Sequence, residues 1–194
     1  MIVEAVVAVA SGEFGRERES AAAWHVAALS PRRRFENLLD RHGARLRRVA
    51  FGMLADSDRV DDVLQEAYLK AFRRMPSRFE NERMEAAWLY RIVYRCCLDE
   101  LRGRRRRRET PGLVEEVLAT HDEDAVESLA VAAALAELRP DARAVVLLVS
   151  VIGLDYETAA AALRIPRGTV ASRLNAARAQ LREALLRGEE DRDG

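Results

Sequence analysis

From Phe35 onward the apolar residues recur at helical spacing. Leu38, Leu39, Leu46, Val49, Ala50, Met53 and Leu54 form one stripe, and Val63, Leu64, Ala67, Tyr68, Ala71, Phe72 and Met75 form a second. Asp56-Ser57-Asp58 lies between them and supplies a cap for the second helix. Pro76 ends that helix, and Ser77 to Met84 reads as a polar loop. A third helix is expected from about Glu85, with Trp88, Leu89, Ile92, Val93 and Cys96 turned inward and Arg91, Arg95 and Arg102 projecting. Gly103 and the arginines after it are expected to close this unit. A further helical pattern starts near Ala125 with Val126, Leu129, Ala133, Leu135 and Leu138, until Arg139-Pro140-Asp141 breaks it. The apolar run from Ala144 to Leu154 reads as a buried helix.

The stretch from Asp155 to Leu185 is the most informative. Asp155 is a natural N-cap, and an Ala-rich helix follows through Leu163. Pro166 cannot continue it. Gly168-Thr169 opens a second helix, with Thr169 expected as its cap. There Val170, Leu174, Ala177, Leu181 and Leu185 share one face, while Arg173, Asn175, Arg178 and Arg182 share the other. Two short helices, a tight turn and a basic second helix make the sequence form of a helix-turn-helix. Thr158 to Arg182 holds five arginines and no acidic residue, a one-signed charge that points to phosphate. The competing reading is an ordinary helical hairpin with a solvated basic face.

Composition sharpens this picture in three ways. Aromatic residues make up only 6% of the 194, and Ala, Leu and Val carry the apolar load, so the expected fold is all-α. The formal net charge of zero hides an uneven distribution: six of the seven residues Arg102–Arg108 are arginine, whereas Glu109 to Glu127 holds seven acidic residues and no Lys or Arg. The organisation expected is a weakly ordered extension over 1–34, a helical domain over 35–108, a flexible acidic linker over 109–124, a second helical domain over 125–187 and a charged tail over 188–194. The only cysteines, Cys96 and Cys97, are adjacent and suit a reducing compartment rather than a disulfide framework. No stretch has transmembrane length, so a soluble cytoplasmic protein without membrane insertion is expected. His25, His42 and His121 are scattered, no Cys/His cluster offers metal ligands and no glycine loop cradles phosphate. No cofactor and no enzymatic activity are expected.

Three segments, in order, resemble the extracytoplasmic-function (ECF, group IV) class of bacterial sigma factors. They are Asp61-Asp62-Val63-Leu64-Gln65-Glu66-Ala67-Tyr68, Trp88-Leu89-Tyr90-Arg91-Ile92 with Asp99-Glu100-Leu101-Arg102, and Gly168-Thr169-Val170-Ala171-Ser172-Arg173-Leu174. The resemblance spans roughly Phe35 to Leu186. It implies two small helical domains, sigma regions 2 and 4, with core RNA polymerase and promoter DNA as partners and an anti-sigma protein as a further one. It also implies roles. Asp61, Asp62, Gln65 and Glu66 would dock on the polymerase clamp, where carboxylates suit a basic partner. Arg78, Phe79, Asn81, Trp88, Arg91, Arg95 and Arg102 would serve the −10 element and its melting, with the Ser77 to Met84 loop forming part of a pocket for a flipped base. Arg167, Thr169, Ser172, Arg173, Asn175, Ala176 and Arg178 would meet the −35 element. The chain departs from the family pattern at Arg95, at Thr158-Ala159, which replaces Glu-Ile, at Arg164, and at Ala171, which stands where Lys or Arg is common. Arg95 stands where Asn is usual, and Arg164 stands at a turn where Gly is common, a left-handed position that costs a side-chain-bearing residue about 1 kcal/mol. The alternative function is a helix-turn-helix regulator that binds duplex DNA without polymerase.

Overall fold

The computed structural model describes residues 30–107 and 131–193, with side chains through Arg187. The expected extension up to residue 29, the acidic linker, the start of the pattern near Ala125 and the end of the tail lie outside the described residues. All the described secondary structure is helical.

The first half is three helices. Helix α1 spans Pro31–Leu54, with Ser30 capping it by accepting from Arg33 N at 3.2 Å. It starts four residues ahead of the expected domain boundary, because Ser-Pro supplies a cap and an N1 proline just before the apolar stripe. Helix α2 spans Ser57–Arg74, capped by Asp56 as the sequence predicts. Helix α3 spans Glu82–Arg107. Its start is earlier than expected because Asn81 caps it, the carboxamide oxygen accepting from Met84 N at 3.0 Å. Phe35, Leu46, Met53, Val60, Leu89 and Tyr90 fill the space between the three helices.

Helix α3 also corrects the reading of the arginine run. Gly103 does not end it. Arg104 is buried and donates to Asp56 at 2.8 Å and to Glu100 at 3.3 Å, with the Leu54 carbonyl at 3.4 Å. Arg104 thus ties the last turns of α3 to the junction between α1 and α2, and the helix carries on through Arg107.

The second half begins, within the described residues, with helical residues 131–137 (α4). Helix α5 spans Pro140–Val146 and runs into a π-helical stretch, Leu147–Val151, instead of the single α-helix expected there. The wider turn is closed by Ile152 N donating to Leu147 O at 2.9 Å. Gly153, at φ 81, reverses the chain. Helix α6 spans Tyr156–Leu163, with Asp155 as its cap, accepting from Thr158 N at 2.8 Å. Arg164 takes the left-handed conformation foreseen for it, φ 56 and ψ 46. Helix α7 spans Arg167–Asp193. It is Pro166, not Thr169, that sits at its head: the Pro166 carbonyl accepts from Thr169 N and Val170 N, which leaves Thr169 inside the first turn. Val170, Leu174 and Ala177 are buried on the face their spacing predicts.

The two halves share one apolar core. Helix α6 packs along α3, and α5 with its π-helical extension packs on the end of α1.

Candidate polymerase and nucleic-acid interfaces

Helix α2 buries Val60, Val63, Leu64, Ala67 and Tyr68, so the residues between them face outward. Asp61, Asp62, Gln65 and Glu66 are all exposed and contiguous. Asp61 accepts from the Arg47 guanidinium, and Glu66 pairs with Lys70 Nζ at 2.7 Å. Lys70 is the only lysine among 32 basic residues. Its ammonium is held protonated, first of all by Glu66. The surface is a compact acidic patch on a rigid helix, the form that receives a basic partner.

At the other end of α2, α1 and the connection from α2 to α3 enclose an open groove of about 510 Å³, lined by Arg34, Arg41, Ser77, Arg78, Phe79, Asn81, Glu82 and Glu85. Phe79 leans on Trp88 with ring centroids 5.3 Å apart and planes inclined at 55°. Both rings are half-buried; Phe79 lines the groove and Trp88 supports it from α3. Arg34 is fixed by donating to the Pro76 carbonyl at 2.6 Å, and Arg41 by Glu85 at 2.6 Å. Neither arginine stands among the residues singled out from the sequence. Their spacing of seven along α1 places them two turns apart on one face, a signal visible once α1 is extended back to Pro31.

Of the other −10 candidates, Arg78 and Asn81 border the groove, while Arg95 and Arg102 are exposed further along α3. Arg102 pairs with Asp99 at 3.2 Å. Arg91 is differently placed: its Nη2 donates to the Ala161 carbonyl at the end of α6. Burial lowers the Arg91 pKa, and the nearby Arg164 and Arg95 guanidiniums add to the effect. Tyr90 is buried at 1% exposure and belongs to the core. Tyr94 is half-buried, and its phenol is pushed up by burial and by Asp141, against a pull from Arg173 and Arg102.

On α7, Arg167, Ser172, Asn175, Ala176 and Arg178 are exposed and Thr169 is half-buried. Arg178 donates to Ser150 Oγ at 3.3 Å, and Ser172 Oγ donates to the Thr169 carbonyl at 3.2 Å. Arg173 is half-buried and pairs with Asp141 at 3.4 Å. The structure therefore brings the −35 candidates onto one helix, with Arg173 set apart from the most exposed of them.

Cys96 and Cys97 are buried free thiols. Burial pushes both pKa values up, that of Cys97 to about 12. Because the thiolate is the reactive form, both should resist alkylation at pH 8 in the folded chain and react fully in denaturant, as mass spectrometry would show. A raised folded-state pKa favours folding below the ordinary thiol value of 9.0, so the contribution of Cys97 to stability should be complete below pH 9 and decline above it.

Among the described residues no group of His, Cys, Asp or Glu is arranged to hold a metal, and no helix is long and apolar enough to cross a membrane.

This architecture, a three-helix unit with an acidic helix face followed by a helix-turn-helix, is that of an RNA polymerase sigma factor. The sigma-70 region 2 family matches residues 38–107, and the sigma-70 region 4 family matches residues 128–181. The chain is 38% identical to the ECF RNA polymerase sigma factor SigM of Mycobacterium tuberculosis over 91% of its own length and 90% of that protein's. It is 32% identical to the ECF sigma factor SigE of Mycolicibacterium smegmatis over 79% of its length and 62% of that protein's. Among solved structures it resembles CnrH in complex with the cytosolic domain of CnrY (TM-score 0.62, 26% identity, 97% of this chain and 99% of that one). It also resembles the sigma factor RpoE bound to the anti-sigma factor NepR from Bartonella quintana (TM-score 0.64, 28% identity, 78% of this chain and 96% of that one). The chain belongs to the ECF sigma factors, which bind core RNA polymerase and direct promoter recognition and melting at the start of transcription.

Proposed function

We propose a division of that work among the residues described above. Asp61, Asp62, Gln65 and Glu66 dock on core polymerase; their joint exposure on one rigid helix face supports the assignment. The groove lined by Phe79, whose ring rests on Trp88, receives an unstacked base of the −10 element, with Arg78 and Asn81 at its rim. Arg34 and Arg41 extend the phosphate-attracting side of the same groove. Arg95 and Arg102 line the path of the −10 strand. Arg167, Thr169, Ser172, Arg173, Asn175, Ala176 and Arg178 present α7 to the −35 element. A chain of this kind turns over no substrate and works in the cytoplasm. An anti-sigma protein is a fitting partner, because two structural neighbours include CnrH with CnrY and a sigma factor with an anti-sigma factor.

The observation that carries the −10 assignment is the Phe79 ring in a groove that Arg34, Arg41 and Arg78 also line, since stacking contributes about 1–3 kcal/mol per base. In holoenzyme, Phe79→Ala should slow promoter opening roughly tenfold, read from the fluorescence of 2-aminopurine placed in the −10 element. An unchanged opening rate would remove Phe79 from the pocket. The competing reading, a regulator acting without polymerase, assigns no task to the acidic face of α2 or to this groove.

A further inference from the structure

We propose that Arg91, Arg95 and Arg164 form a binding site for a phosphate-bearing polyanion, built where α6 lies along α3. The site depends on none of the promoter contacts assigned above.

The two departures from the family pattern that bring in an arginine, Arg95 and Arg164, are far apart in sequence and meet here. Arg91 links them. Its Nη2 donates to the Ala161 carbonyl, which brings the guanidinium against the last turn of α6. Arg164 caps that same end of α6. Arg95 follows Arg91 one turn later on the same face of α3. Arg91 is half-buried, whereas Arg95 and Arg164 are exposed. A ligand can therefore enter from solvent between two open guanidiniums and rest on a third that the fold already holds in place.

Three like charges this close repel one another. Burial, then Arg164, then Arg95 pull the Arg91 pKa down. Other arginines of the chain are neutralised: Arg47 donates to Asp61, Arg102 pairs with Asp99 at 3.2 Å and Arg104 with Asp56 at 2.8 Å. Among the described residues no carboxylate pairs with Arg91, Arg95 or Arg164, and nothing accepts from the shielded Nε of Arg91. Arg164 also holds a left-handed backbone, φ 56, that glycine adopts without steric cost. Repulsion, backbone strain and an unmet donor coincide, and one kind of ligand answers the first and the last of them. An oxyanion with several negative charges would offset the three cations and accept charge-assisted hydrogen bonds from both helices. The guanidinium fork matches the paired oxygens of a phosphate group, and linked phosphates supply the charge that a single carboxylate lacks. A free polyphosphate and a DNA backbone share this chemistry.

Calorimetric titration of the full chain with inorganic tripolyphosphate, at constant ionic strength, tests the site. Arg164→Gly and Arg95→Asn should each weaken binding about tenfold. Both variants should fold, because glycine relaxes the left-handed backbone at 164 and residue 95 is exposed; circular dichroism checks this. Tripolyphosphate should also raise the unfolding midpoint of the wild type more than that of either variant. A random-sequence duplex titrated in parallel identifies the source of the phosphate. Loss of duplex affinity in step with tripolyphosphate affinity assigns it to a DNA backbone, and loss of tripolyphosphate affinity alone assigns it to a free polyphosphate. Unchanged tripolyphosphate affinity in either folded variant would overturn the site. So would a loss of binding seen instead with Arg105→Ala combined with Arg106→Ala, which would place the anion on the arginine run. No arm uses polymerase or promoter sequence, so failure here leaves the sigma reading standing.

Discussion

Asp62→Arg combined with Gln65→Ala should lower affinity for core polymerase about 100-fold while leaving the fold intact. Both residues are exposed on α2, and neither side chain packs into the core, so the change is confined to the docking face. Reversing one charge against a basic partner replaces an attraction with a repulsion, and losing the amide removes a hydrogen bond that fixes register. Interfacial charge pairs of this kind carry about 2–5 kcal/mol when one member is lost, and a 100-fold change is about 2.7 kcal/mol. Titration of labelled core polymerase measures it. Unchanged affinity, with the thermal unfolding midpoint also unchanged, would refute the docking face.

The second large effect falls on stability. Arg104→Ala should lower the unfolding free energy by about 3 kcal/mol, whereas Arg105→Ala and Arg106→Ala should each change it by less than about 0.5 kcal/mol. Arg104 is buried and is held by Asp56, by Glu100 and by the Leu54 carbonyl. Removing it takes the buried cation from the α2 cap and leaves Glu100 only its exposed partners Arg59 and Arg107, each at 3.5 Å. Arg105 and Arg106 are exposed. Urea unfolding of the three variants separates the cases, and equal losses for all three would show that the run acts only as a block of charge.

These two sites show where sequence reasoning succeeds and where it stops. The acidic face of α2 is legible because a helix places Val63, Leu64 and Ala67 inward and so forces Asp62, Gln65 and Glu66 outward; local periodicity settles it. The same holds for Val170, Leu174 and Ala177 on α7, and for Asp155, whose capping chemistry acts within three residues. Arg104 is different. Its partner Asp56 lies 48 residues away, and nothing in a run of arginines marks one member as buried. The head of α7 was misplaced at Thr169 for a related reason: threonine is a good cap by chemistry, but the Pro166 carbonyl already accepts the first amides. The contact between the halves is the least legible feature. Gly52 reads as an ordinary weak point in a helix, and its close approach to Leu147, 95 residues on, appears only in the fold. The sequence-based separation into two domains follows from the acidic stretch between them, but long-range packing, not local pattern, decides that the halves share a core.

The central claim is that this chain directs polymerase to promoters through an acidic docking face and a melting groove. Its most direct test is transcription from a genomic fragment library by core polymerase with the purified chain added, with start sites mapped by sequencing. Discrete start sites that appear with the wild type and vanish with the Asp62→Arg, Gln65→Ala variant are the expected result. Salt-sensitive binding to duplex DNA with no new start sites, and no association with core polymerase, would contradict it.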